Sequence, residues 1–252
     1  MSELLRTCER GILRVTLNRP EKRNALSRAV LRELKAVFLA HAELPDLRLA
    51  VLGGAGDVAF CAGGDLNDLA EIRSPEDTEA FAAEATAALD AIRFFPVPTI
   101  AALNGIALGG GAELALACDM RIAAAHARIG FIHATLNIST AWGGGADLMR
   151  LAGYGRAIEL LATARTLSAE EARALGIFNR VAAPGATFIE FVDAFLDPME
   201  ERLPAVMRAL KAQAVGERLA RPVLERRPGD QERFVATWAS PAHWAIADQV
   251  LK

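Results

Sequence analysis

Apolar and polar residues alternate from Gly11 to Asn18, with Ile12, Leu13, Val15 and Leu17 in the pattern of a strand. Arg19-Pro20-Glu21-Lys22-Arg23-Asn24-Ala25-Leu26 interrupts it, and the period then changes. Val30, Leu31, Leu34, Val37 and Phe38 fall on one helical face behind Ser27, a good N-cap, and Pro45 closes the region. Leu47 to Leu52 is nearly all apolar, as strands covered on both faces are, so this strand–helix–strand order predicts a parallel crossover. Gly53-Gly54-Ala55-Gly56 opens a loop, residues 75–92 read as an alanine-rich helix, and Phe94-Phe95-Pro96-Val97-Pro98 stops it. A third strand runs from Pro98 to Leu103, and Met120 to Ala125 and Ala127 to Phe131 read as two short ones. An irregular stretch, His133 to Trp142, precedes short helices at Gly144–Leu151, Gly155–Ala162 and Ser168–Leu175, and Ile177 to Val181 is the expected last strand. From about Ala186 the pattern is helical: Phe188 to Leu196, Pro204 to Leu219, Asp230 to Trp238 and, past the Ser240-Pro241 break, Ala242 to Leu251. This tail has few strands of its own and is expected to dock on the sheet or on a neighbour.

The densest chemical signal follows the third strand, from Asn104 to Asp119. Gly109, Gly110 and Gly111 are consecutive, and an apolar helix leaves from them. Three missing side chains suit a place where backbone approaches a ligand. A helix start also offers unpaired N–H groups and the positive end of the dipole to a group that is, or becomes, negative. Glu113 stands two residues past the last glycine. The spacing fits neither a dinucleotide fingerprint nor a P-loop. Taken alone, the run is equally a tight strand-to-helix turn with a capping glutamate.

Composition narrows the field. The chain has 252 residues, is 52% hydrophobic and carries a net charge of −3, so a large core is possible and general binding to nucleic acid or to an anionic membrane is not expected. Arg28, Arg32 and Lys35 on the first helix read as a solvated face. Cys8, Cys61 and Cys118 are odd in number and lack metal-ligand spacing, so no metal is expected. Met1 to Arg6 lacks the apolar core of a signal peptide, and no apolar run reaches the ~18–20 residues of a membrane span. The expected setting is soluble and cytoplasmic.

Three stretches together resemble the crotonase superfamily, the enoyl-CoA hydratase/isomerase family, over nearly the whole chain. They are Asn18 to Leu26, Phe60-Cys61-Ala62-Gly63-Gly64-Asp65-Leu66, and Asn104 to Asp119. The resemblance implies an α/β fold, with a crotonase-like ββα spiral core over residues 1–185 and a helical trimerisation region over 186–252. It implies a homotrimer or a dimer of trimers. The implied substrate is an acyl-CoA thioester, with no further cofactor. The thioester carbonyl would point at two backbone N–H groups, by motif position those of Ala62 and Gly110. One such donor is worth about 3–4 kcal/mol to a developing oxyanion. The CoA nucleotide would touch Glu21, Lys22, Arg23 and Ala25 on one loop and Gly64, Asp65 and Leu66 on another.

Hydratases of the family use two glutamates. Glu113 matches one, and His133 stands in the place of the other. Glu113 and His133 are therefore the candidate catalytic residues, expected to face one acyl pocket from opposite walls. Phe131-Ile132-His133, Ala141-Trp142-Gly143-Gly144 and Thr237-Trp238-Ala239-Ser240-Pro241-Ala242 look like the ethylmalonyl-CoA decarboxylases of the superfamily. Trp142, Trp238 and Trp244 read equally as core or interface fillers. The expected reaction is decarboxylation of a short alkylmalonyl-CoA through an enolate, with burial keeping Glu113 neutral. The alternative is a 2-enoyl-CoA hydratase or an enoyl-CoA isomerase.

Overall fold

The computed structural model describes residues 2–238 and Pro241. Strands β1 (Leu4–Glu9) and β2 (Ile12–Leu17) form an antiparallel hairpin, followed by helix α1 (Arg28–His41). Next come β3 (Leu49–Gly54), β4 (Ala59–Cys61) and α2 (Pro75–Arg93), then β5 (Thr99–Leu103), β6 (Ile106–Leu108) and α3 (Gly110–Ala117). A strand–strand–helix unit thus occurs three times, which is the expected spiral. The fourth pair, β7 (Met120–Ala123) and β8 (Arg128–Gly130), runs into a short 3₁₀ turn, Ile132–Leu136. With β9 (Thr166–Ser168) and β10 (Arg180–Val181), the strands form a six-stranded sheet ordered β1-β2-β3-β5-β7-β10 and a four-stranded sheet ordered β4-β6-β8-β9. The β2–β3 pairing is parallel, as the crossover required.

Local chemistry accounts for the helices. Ser27 accepts the N–H of Val30, and the five residues of the α1 stripe are all buried. Ser74 caps α2 in the same way, with Pro75 in its first turn. The short helices α4 (Gly144–Ala152), α5 (Tyr154–Thr163) and α6 (Ala169–Ala174) match the pattern, and Ser168 and Glu171 form a capping box. Four strands, β1, β4, β6 and β9, escaped the periodicity. In β1 only Leu4 is buried, and β6 is three residues long.

The near-continuous apolar reading of β3 has a direct cause. Ala50 and Leu52 face the main core, whereas Leu49 and Val51 face a second cluster with Ile12, Ile100 and Ile122. Val192 and Leu196 of α7 (Phe188–Glu200) close that second cluster, so the tail docks on the sheet of its own chain through α7. Each such side chain contributes about 1.5–3 kcal/mol on burial. Helix α8 (Pro204–Arg218) is fastened by Lys211, whose buried ammonium donates to the Asp119 carboxylate at 2.6 Å and to the Arg93 carbonyl at 2.9 Å. From the same helix, Arg218 donates to the Leu116 and Ala117 carbonyls at the C-terminus of α3. Helix α9 (Val223–Trp238) starts before the expected Asp230. The expected helix from Ala242 to Leu251, with Trp244, lies outside the described residues. Among the described residues no helix is long and apolar enough to cross a membrane.

Candidate active site

The glycine run opens α3 against the end of β4. Gly109 has φ 52° and ψ −122°, a backbone that favours glycine. A Cβ on Gly111 would stand 2.1 Å from the Cys61 carbonyl oxygen, so that glycine allows the two backbones to touch. Gly109 donates to the Gly130 carbonyl at 2.9 Å. The Gly110 N–H belongs to the first helical turn and has no acceptor among the described residues.

The facing turn corrects one expectation. The Ala62 N–H donates to the Arg23 carbonyl at 3.0 Å, so it is occupied by the protein itself. Leu26 N–H donates to Gly63 C=O at 2.8 Å, and Asp65 N–H to Leu26 C=O at 2.9 Å, around a parallel Leu26–Gly64 bridge. In such a bridge the N–H of Gly64 points away from Leu26, and no described residue accepts it. Gly64 and Gly110 both line one cavity of about 640 Å³, and a Cβ on Gly63 would come within 3.7 Å of the Gly110 nitrogen. The pair of free donors is therefore Gly64 and Gly110, not Ala62 and Gly110.

Two asparagines within the signature stretches hold this arrangement. Asn24 donates to the Ala55 and Ala59 carbonyls and accepts from Arg19 N–H. Asn104 donates to Gly56 and Ala59 and accepts from Gly54 N–H. Both bind the loop ahead of β4 and the first residue of that strand. Their residue type and spacing give no sign of this role.

Glu113 is 1% exposed and does not cap its own helix. Its Oε2 accepts the N–H groups of Trp142 at 3.0 Å and Gly144 at 2.8 Å. Its Oε1 lies 3.1 Å from His133 Nε2. The two candidate catalytic residues do share the cavity, but they touch rather than stand on opposite walls. Oε2 is thus an acceptor twice over, and Oε1 is the oxygen that faces His133. Carboxyl and imidazole are in direct contact, and Glu113 is not an isolated acid in an apolar pocket. His133 Nδ1 is buried and has no partner among the described residues. Behind the site, Arg93 donates to the Trp142 carbonyl at 3.1 Å and to the buried Asp147 carboxylate at 3.0 Å. This buried pair braces the 142–144 turn that grips Glu113, a link the sequence did not announce.

Of the residues expected at the CoA, Gly64 and Leu66 line the cavity. Glu21, Lys22 and Arg23 are exposed on the turn behind it, and no ion pair engages them among the described residues. The Ala25 carbonyl accepts from Arg19 at 2.7 Å. Asp65 is a correction: its carboxylate is held at 2.8 Å by Arg19, which also pairs with Glu3, and its N–H is spent on Leu26. Partial burial pushes the Asp65 carboxyl up, but the hydrogen bond and charge of Arg19, with backbone N–H groups, outweigh that and hold it below the usual range. It fastens the loops to one another.

Apolar residues, among them Leu66, Leu69, Phe81, Ile132 and Trp142, complete the cavity. A similar volume, about 670 Å³, lies between α8, α9 and Phe94–Pro96, but it holds none of these groups. Among the described residues no cluster of His, Cys, Asp or Glu could hold a metal ion.

Comparison with known proteins bears on the whole chain. The family model described as Enoyl-CoA hydratase/isomerase matches residues 7–242. A crotonyl-CoA hydratase of Syntrophomonas wolfei is 40% identical over 67% of this chain and 64% of its own length. The chain thus spans just under two thirds of that relative. An enoyl-CoA isomerase/hydratase of Mycosarcoma maydis is 37% identical over 80% of this chain and 76% of its own length. A crystal structure of an enoyl-CoA hydratase from Mycobacterium smegmatis superposes with a TM-score of 0.90 at 32% identity, covering 100% of this chain and 96% of that one.

Proposed function

The chain belongs to the enoyl-CoA hydratase/isomerase family, and from that premise we propose that it adds water reversibly to a short 2-enoyl-CoA. The observation that carries the reading is one cavity joining two unclaimed N–H groups, Gly64 and Gly110, to the Glu113–His133 pair. The thioester oxygen accepts from both N–H groups, and the charge that reaches it as the enolate forms is stabilised there. Water adds to the β-carbon and gives one proton to the Oε1–Nε2 pair. The pair returns that proton to the α-carbon, so one proton-carrying unit closes the cycle. Moving a double bond needs the same parts, a proton taken from one carbon and returned to another. Lys22 and Arg23, exposed and unpaired, are proposed to meet CoA phosphates.

Hydration replaces the decarboxylation expected from the short stretches around His133, Trp142 and Trp238. The relatives above are named for hydration and isomerisation, and decarboxylation gains no support from them. Turnover of a small acyl-CoA panel, read by mass spectrometry, decides. Crotonyl-CoA should gain the mass of water, and ethylmalonyl-CoA should stay intact. Loss of CO₂ from ethylmalonyl-CoA with crotonyl-CoA untouched would overturn the assignment. Conversion of 3-enoyl thioesters without hydration would move it to isomerisation.

Assembly as a homotrimer or a dimer of trimers belongs to the same proposal. It is supported by large apolar side chains exposed on the tail, including Ile189, Leu203, Leu210 and Phe234. Sedimentation should give three or six chain masses at micromolar concentration, and a stable monomer there refutes it.

A further inference from the structure

Trp142 is the bulkiest side chain on the cavity wall, and the acid–base chemistry uses only its backbone. That backbone is held on both sides, by its N–H on Glu113 and its C=O on Arg93. The ring is held as well. A Cβ on Gly110 would fall 2.3, 2.7 and 3.2 Å from Cζ3, Cη2 and Cε3 of the indole, so the six-membered ring fills the space that glycine leaves. On another side it meets Phe81 edge-on, with centroids 5.7 Å apart and planes at 83°. The residue is only 8% exposed. Swinging the ring aside would break these contacts.

Gly110 also carries one of the two free N–H groups. The indole therefore stands beside the place where the carbonyl end of a thioester would lie, next to the acyl carbons that follow it. We propose that the Trp142 ring is the wall that selects the acyl group, admitting short unbranched chains and excluding long chains and α-branches. This rests on the acyl-CoA reading above and adds the residue that sets chain choice. The selection is steric, because the ring offers no hydrogen bond to the acyl chain and its rigid place leaves no room to yield.

Calorimetric titration with butyryl-CoA, octanoyl-CoA and 2-methylbutyryl-CoA tests it, since these saturated thioesters bind without hydration. The wild type should bind butyryl-CoA at least about tenfold more tightly than the other two, the lower end of what a single extra methylene discriminates. Trp142→Ala should erase most of that preference, and Trp142→Phe should fall between, while each keeps the N–H that holds Glu113. Should the alanine variant fail to fold, Trp142→Leu and Trp142→Phe decide by the same ratio. An unchanged ratio in folded variants overturns the wall, and so does equal wild-type affinity for all three thioesters. If the folded wild type binds none of them, the acyl-CoA reading itself fails.

Discussion

Glu113→Gln is expected to lower kcat for crotonyl-CoA by roughly 100- to 10,000-fold, the usual span for removal of a positioned acid–base group. KM should move only a few-fold, because the lost interaction belongs to the chemical step. The substitution is close to isosteric. The glutamine oxygen can still accept the Trp142 and Gly144 N–H groups, now at 3.0 and 2.8 Å from Oε2. Its NH₂ would take the place of Oε1 toward His133, which must then accept instead of sharing a proton. Packing and the turn survive, but the pair no longer carries a proton. Steady-state kinetics beside a thermal melt separates the cases. Unchanged kcat at unchanged stability would make Glu113 a buttress for the 142–144 turn and nothing more.

Gly64→Pro should cost roughly 100- to 1,000-fold in kcat, since one oxyanion donor disappears. Gly64→Ala is the control, because it keeps the N–H. Its new Cβ would come 2.9 Å from Leu69 Cδ1, the end of a flexible side chain, so a small shift accommodates it. The alanine variant should therefore stay within several-fold of wild type. If both variants lose activity alike, shape at this turn matters and the donor does not. Gly110 is the poorer place for such a test: any side chain there runs into the Trp142 ring, and loss of the donor would be confounded with displacement of the wall.

Much of the scaffold was legible because its signals are local. Helix α1 could be read from five apolar positions and one serine, and the structure buries all five behind that cap. The strand–helix–strand order of β2, α1 and β3 followed from where the period changes and where glycine and proline fall, whereas the ββα spiral came only from the resemblance to the family. The glycine run and Glu113 stood out by residue type, and the motif stretches named the family, whose resemblance added His133. Strand β6 was missed because three residues, Ile106 to Leu108, are too few to show a period.

Sequence by itself therefore determined the family, and through it the spiral, the helical tail and the two candidate acid–base side chains. Tertiary structure decided which backbone groups are free to act. Ala62 and Gly64 look alike in a small-residue turn, and only pairing with Arg23 and Leu26 occupies the first amide and turns the second toward the cavity. Asp65 looked available until Arg19, 46 positions away, closed on it. Glu113 is aimed by peptide groups at Trp142 and Gly144, 29 and 31 positions on, themselves braced by Arg93. The physical reason is the same in each case. A hydrogen bond spends a donor or acceptor on one partner, and when that partner comes from a distant segment, residue types and local spacing carry no record of the choice.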